Sequence, residues 1–211
     1  MIEYNDIMKY YGFKGLPYRF KYFDSLDING GDIVFDCGSY YGSNTVYFSR
    51  RVGKDGRVIS IEPDPFNYKY LRKSIRDFNL ENVTLIKKAI SNTVGNGYIY
   101  ISPDGTSANS VVKESKKINI SNKHRIMCDT FINIINSNNV ENIKLIYLNI
   151  EGSEYDILDD IDSICKRFNP TWVIHDHSRY LDNHTSKELY NIFFNNGYEL
   201  KKQPYTTFFR S

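Results

Sequence analysis

Four short runs in this 211-residue chain combine residue types and spacing that could do chemistry. The first, Asp36-Cys37-Gly38-Ser39-Tyr40-Tyr41-Gly42, follows an apolar run and opens a helical pattern. Its glycines let backbone turn tightly and come close to a ligand. A carboxylate in such a turn suits a cation, for example an amino acid's ammonium, and repels phosphate. Tyr40 breaks the dinucleotide Gly-x-Gly-x-x-Gly pattern, and no Gly-Lys-Ser/Thr follows to make a phosphate loop. The second signal is Glu62, where a strand-end acid hydrogen-bonds a ribose diol. It stands about two dozen positions after Gly38, near the roughly 20 of a βαβ unit. The third run is Asn149-Ile150-Glu151-Gly152-Ser153-Glu154 and the fourth is His175-Asp176-His177. Together they offer a general base, His175 or His177, with Glu151 to orient a substrate or a cationic ligand. The same side chains could hold a divalent metal through oxygen and imidazole, the less favoured reading. Glu154 also suits the N-terminal end of a helix, and Asp129 reads as a cap rather than a catalyst.

These runs act together only if the fold brings them together, and the elements predict that it does. Apolar Ile33-Val34-Phe35 reads as a buried strand and residues 43–52 as a helix. Residues 57–62 form a second strand, 66–78 a helix at 3.6 spacing, and 83–89 a third strand. Residues 98–101 suggest an extra strand or hairpin, followed by a polar surface loop, 102–110, and a basic stretch to Arg125. A helix from Asp129 to Ser137 precedes a strand at 145–150. An amphipathic helix at 153–168, a strand at 172–174 and a helix at 186–196 follow. Residues 198–201 and 206–209 close the chain as a hairpin, predicting one antiparallel edge strand. Alternating strands and helices predict an α/β fold, a doubly wound, mostly parallel sheet. Ligands of such sheets bind outside the carboxyl ends of the strands, and all four runs fall at strand ends.

Val34-Phe35-Asp36-Cys37-Gly38 with Gly42, Glu62-Pro63, and Ile150-Glu151-Gly152-Ser153-Glu154 resemble the FkbM-type methyltransferases, over roughly residues 31–177. The resemblance implies a Rossmann-like, class I, seven-stranded domain that uses S-adenosylmethionine. It implies methylation of a hydroxyl on a sugar, glycan or small metabolite. By resemblance Asp36, Gly38, Ser39 and Gly42 hold the methionine part, Glu62 the ribose, and Ala89 lies near the adenine, with Asn149 beside them. The family pattern has Lys-x-Asp before Glu-Gly-x-Glu, whereas here Tyr147 and Asn149 stand there; Asn149 keeps hydrogen-bonding capacity without charge. Residues 31–211 form the cofactor-binding domain. Residues 1–30, irregular and rich in aromatics (Tyr10, Tyr11, Phe13, Tyr18, Phe20, Tyr22, Phe23), form either a lid that stacks on the acceptor or a packed flank.

Composition narrows the alternatives. A net charge of +2 gives no push toward a polyanion, and the short basic runs read as solvated faces. An RNA or base N-methyltransferase is expected to carry Asn/Asp-Pro-Pro-aromatic after the fourth strand, and Asn149-Ile150-Glu151-Gly152 stands there instead. A catalytically silent cofactor-fold module that binds a partner is the third reading. Three cysteines, Cys37, Cys128 and Cys165, form no paired spacing and point to a reducing compartment. Glu3 and Asp6 after Met1 predict no secretory leader, and no apolar run is long enough to span a membrane. The expectation is a cytoplasmic protein.

Overall fold

A computed structural model describes residues 4–12, 16–102, 109–111, 119–178, 181, 186–201 and 205–210. Strands β1 (Ile33–Cys37), β2 (Arg57–Ile61), β3 (Val83–Ile86), β7 (Leu145–Leu148), β8 (Thr171–Ile174), β9 (Glu199–Lys201) and β10 (Thr206–Phe209) form one seven-stranded sheet. Its order is β3-β2-β1-β7-β8-β10-β9. Adjacent strands are parallel from β3 to β8, and β10 runs antiparallel to both β8 and β9. The antiparallel strand therefore lies inside the sheet, a correction to the expected antiparallel edge. The hairpin enters by its second strand, leaving short β9 at the rim, where an exposed edge is least hazardous.

Strand alternation sorts the central residues into two cores. Phe35, Cys37, Ile59, Ile61, Ile146, Leu148, Trp172 and Ile174 face helices α5 (Phe131–Ser137), α6 (Leu158–Phe168) and α7 (Ser186–Asn195). Val34, Val58, Leu145, Tyr147 and Val173 face α3 (Ser43–Val52) and the N-terminal segment. Asp36 shares this second face and pairs in register with Tyr147.

The N-terminal segment is helical rather than irregular: α1 spans Tyr4–Tyr11 and α2 spans Leu16–Asp24. Tertiary packing wins over weak local propensity here. Phe20, Tyr22 and Phe23 are buried, and Phe20 stacks on Tyr47 at 4.7 Å between centroids. Tyr18 is exposed, and Tyr11 donates to the Tyr41 carbonyl; Phe13 lies outside the described residues.

Four other boundaries move. The third strand stops at Ile86, and Ala89–Ile90 forms β4, which joins β5 (Gly95–Ile101) and β6 (Asn119–Asp129) in a separate three-stranded sheet. The basic stretch before Arg125 is largely β6, not loop. Ile126 and Cys128 face inward while Arg125 and Met127 face water, so one solvated face hides the strand among charges. Helix α5 is capped by Thr130, whose hydroxyl accepts the Asn133 amide, and Asp129 ends β6 instead. The expected 153–168 helix is a 3₁₀ turn at Ser153–Tyr155 followed by α6. Helix α4 (Pro65–Asp77) starts as its sequence suggests, with Asp64 accepting the Phe66 and Asn67 amides and Pro65 at its first position. Among the described residues no helix is long and apolar enough to cross a membrane.

Phe23 is fully buried among Phe20, Tyr47, Phe48 and Tyr147. Phe23→Ala should cost about 3–5 kcal/mol of stability, read as a lower urea midpoint at unchanged slope. A loss below about 1 kcal/mol would mean that α2 does not close this core.

Candidate active site

The carboxyl ends of β1, β2, β3 and β7 open onto a cavity of about 550 Å³, within the range of small-molecule sites. Gly38, Ser39, Glu62, Ala89, Asn149 and Glu151 line it, six of the ten residues singled out from sequence. Asp36, Gly42, His175 and His177 stand behind the lining.

The first loop is shaped by two glycines for different reasons. Gly38 has φ 82°, and a Cβ there would lie 1.9 Å from the Asn149 carbonyl oxygen. What comes close to this glycine is the end of β7, so Gly38 lets the first and third runs meet. Gly42 has φ 95° and would press a Cβ against Leu71 of α4 at 2.6 Å. Its role in the structure is to turn the chain into α3 and seat it on α4. Between them Tyr40 has φ 53°, and across the cavity Glu151 has φ 54°. Neither is glycine or asparagine, and such backbone costs energy that local contacts must hold in place. For Tyr40 the holding contact is its amide donating to Glu62 at 2.8 Å. For Glu151 it is the turn around it: Glu154 accepts the Ile150 and Gly152 amides at 3.1 and 2.8 Å, and Ser110 donates to the Glu151 carbonyl at 2.6 Å. Glu154, fully buried, thus ties down a turn instead of charging a helix terminus.

Asp36 is fully buried and accepts the Thr45 hydroxyl at 2.5 Å through Oδ2, while its Oδ1 has no hydrogen-bond partner. Asn149 Oδ1 is likewise buried and unpartnered. Burial pushes the Asp36 carboxyl up to about 6, against the Thr45 hydroxyl and the nearby Arg19 charge. Glu62 accepts the Tyr40 and Asp64 amides and the Asn67 amide group, yet burial still raises it to about 8.

The fourth run divides between the sheet faces as alternation requires. The His175 and His177 rings lie 6.4 Å apart, with His175 Nε2 2.7 Å from the Tyr147 hydroxyl. Asp176 points away to Tyr155 and Ser186. His177 lies between Glu154, at 3.0 Å, and Glu151, at 3.5 Å. Burial alone would lower its affinity for a proton, but Glu154 and Glu151 outweigh it and raise the imidazole to about 10. His177 is therefore an imidazolium at neutral pH. Among the described residues no cluster of histidine, cysteine and carboxylate side chains has the geometry of a metal site.

The cavity residues that sequence reasoning missed include three that carry its polar contacts to other elements. Lys88, at the end of β3, bonds Asp129 at 2.7 Å. Asn109 bridges from the second sheet to Asp64 at 3.3 Å. Arg19 of α2 lies beside Asp36 and Tyr147, so the cation near β7 comes from a distant helix. In the sequence Arg19 is one of two cations, with Lys21, among the aromatic residues of 16–23.

Residues 36–200 match the Methyltransferase FkbM domain. Comparison with curated proteins gave no match. Among solved structures, the FkbM methyltransferase of Methylobacillus flagellatus superposes with a TM-score of 0.55 at 19% identity, covering 88% of this chain and 45% of that one. This chain thus spans less than half of that protein. A proposed rRNA methylase from Clostridium thermocellum gives 0.55 at 14% identity, over 92% of this chain and 93% of that chain. Aeropyrum pernix fibrillarin, solved with natively bound S-adenosylmethionine, gives 0.53 at 14% identity, over 91% and 73%. At these identities the likeness is one of fold.

Asp36, Glu62 and His177 each keep a proton in the folded chain at a pH where the unfolded chain has lost it. Unfolding therefore releases protons, and stability must fall as pH rises. The ligand-free protein should melt progressively lower between about pH 5 and pH 9, and Glu62→Gln should flatten the stretch from about 4.5 to 8. A melting temperature that rises across this window would contradict the buried-proton assignment.

Proposed function

Since the chain belongs to the FkbM methyltransferase domain family, we propose that this S-adenosylmethionine-dependent methyltransferase acts on a hydroxyl of a sugar, glycan or small metabolite. The observation that carries this reading is an imidazole, His175, that follows β8 behind the cavity lining, with its Nε2 2.7 Å from the Tyr147 hydroxyl of β7. A hydroxyl must lose its proton on methylation, whereas an amine held by an Asn/Asp-Pro-Pro carbonyl needs no such base. Asn149-Ile150-Glu151-Gly152 gives this chain no such segment.

The residues present fit the cofactor. Two buried oxygens without partners, Asp36 Oδ1 and Asn149 Oδ1, would accept from the ammonium of its amino-acid end. Glu62, held by two backbone amides, would accept a ribose hydroxyl, and Gly38 and Ser39 would offer close backbone. Ala89 would face the adenine. When bound, S-adenosylmethionine supplies a methyl group already activated on a sulfonium. What remains for the chain is to align the acceptor and remove its proton. His177 already carries its proton and cannot take another, so of the two histidines the base is His175, poised by Tyr147. Glu151 at the cavity wall would orient the acceptor hydroxyl, with His177 and Glu154 holding it in position. The face Tyr40-Tyr41-Phe66-Tyr70 stacks beside the opening, with Tyr40 and Tyr41 3.8 Å apart and Phe66 and Tyr70 partly exposed. Such a platform suits the apolar face of a sugar ring.

Titration with S-adenosylhomocysteine should give micromolar binding that Asp36→Ala and Glu62→Ala sharply weaken. Against a panel of sugar acceptors, His175→Ala should lower kcat about 10²–10⁴-fold and leave that affinity unchanged. His177→Ala should instead lower the melting temperature, by leaving Glu154 buried and unpaired. Wild-type turnover in His175→Ala would remove it as the base. Cofactor binding with no turnover on any hydroxyl would turn the reading to a silent module or another acceptor class.

A further inference from the structure

Among the described residues that line the cavity, the cationic side chains are Arg19 and Lys88. Lys88 is engaged by Asp129 at 2.7 Å. Arg19 is differently placed. Its Nε is buried without a hydrogen-bond partner, while the rest of the guanidinium meets Asn44 Oδ1 at 3.4 Å and the Tyr205 side chain. The Asp36 carboxylate beside it is met by the Thr45 hydroxyl and not by the guanidinium. The backbone that carries Arg19 is anchored, because Phe20 next to it is fully buried against Tyr47. A fixed guanidinium with an unfilled donor, in a cavity wall, is a ready partner for a carboxylate.

Resting on the cofactor reading above, we propose that Arg19 anchors the carboxylate of the cofactor's amino-acid end. An α-amino acid is a zwitterion, so its site needs acceptors for the ammonium and donors for the carboxylate, close together. The structure has this pairing at one place in the cavity. Two unpartnered acceptors, Asp36 Oδ1 behind the cavity wall and Asn149 Oδ1 of a lining residue, belong to the β1 and β7 ends, and Arg19, whose Nε is an unpartnered donor, lies beside Asp36 and Tyr147. The other lining cation, Lys88, follows the end of β3, two strand positions from β1 and three from β7 in the sheet order, or about 10–14 Å at ordinary strand spacing. That separation leaves the β3 end for the nucleoside and the β1–β7 end for the amino acid. The anchor is supplied by a helix that precedes the family-matched region, which begins at residue 36.

The test compares two ligands by calorimetry: S-adenosylhomocysteine, and its decarboxylated analogue, which keeps the ammonium and loses the carboxylate. Arg19→Gln should weaken S-adenosylhomocysteine about 10- to 100-fold, the worth of a hydrogen bond to a charged group. It should change binding of the decarboxylated analogue less than about twofold. Arg19→Lys, which keeps the charge and loses the fork, should give a smaller loss for the first ligand and again none for the second. Thermal unfolding of each variant checks the fold, and the lysine variant carries the comparison if the glutamine variant does not fold. Equal losses for both ligands would overturn the proposal, because Arg19 would then act through Asp36 or the packing of α2. Unchanged affinity for both would overturn it as well. If the wild-type protein binds neither ligand, the cofactor reading itself fails, and the proposal with it.

Discussion

The site depends on one close approach, where the end of β1 passes the end of β7. A side chain at residue 38 would overlap the Asn149 carbonyl, so only glycine lets the two strand ends come together. They are neighbours in the sheet although more than a hundred residues separate them in the chain. Sheet order reverses direction at this pair, since β2 and β3 lie on one side of β1 and the later strands on the other. Crossovers that leave in opposite directions open a crevice at such a point. The cavity, the Asp36 turn and the Glu151 turn are all consequences of that geometry.

Burying polar groups there is costly, and the structure offsets most of the cost locally. Thr45 serves one oxygen of Asp36, backbone amides serve Glu62, and Glu154 is satisfied by two amides and the His177 ring. Glu154 and His177 carry opposite charges side by side, and removing either would leave the other uncompensated in a dry setting. Among the described residues, what is left unsatisfied around the cavity is Asp36 Oδ1, Asn149 Oδ1, Arg19 Nε and Ser153 Oγ. A buried unpaired polar atom costs on the order of 1–3 kcal/mol, so these four around one cavity are an uncommon concentration. Ligand groups that complete them would recover that free energy.

The parallel centre of the fold was legible because buried strands bracketed by glycine and proline leave a strong pattern. Asp36, Gly38, Glu62, Asn149 and Glu151 could be singled out from strand-end position alone. Elements that satisfy themselves by tertiary contact were not legible. The helices α1 and α2 are short, and α2 lacks a strong helical periodicity, so packing against α3 determines them. Strand β6 presents Lys123, His124 and Arg125 in succession, and only its pairing with β5 distinguishes it from loop. Gly42 is required by the backbone as well, through its φ and the closeness of Leu71. His175 and His177 were indistinguishable as a strand-end pair; two carboxylates close to one ring separate them.

The placement of Arg19 ties the site to the stability of the N-terminal segment. Phe20 and Phe23 dock α2 on α3, and the same helix carries the guanidinium to the cavity wall. Any ligand that engages that guanidinium stabilises the docked helix, since binding to one state shifts its population by mass action. Conversely, weak docking would lower apparent affinity by the fraction of molecules with α2 in place. The aromatic density of α2 then has a physical purpose beyond filling space. A flexible cation would lose conformational freedom at each binding event, whereas one anchored by two buried rings has already lost it in folding. By that logic the buried aromatic side chains of α2 pack as a flank, and the arginine that precedes them reaches the cavity wall.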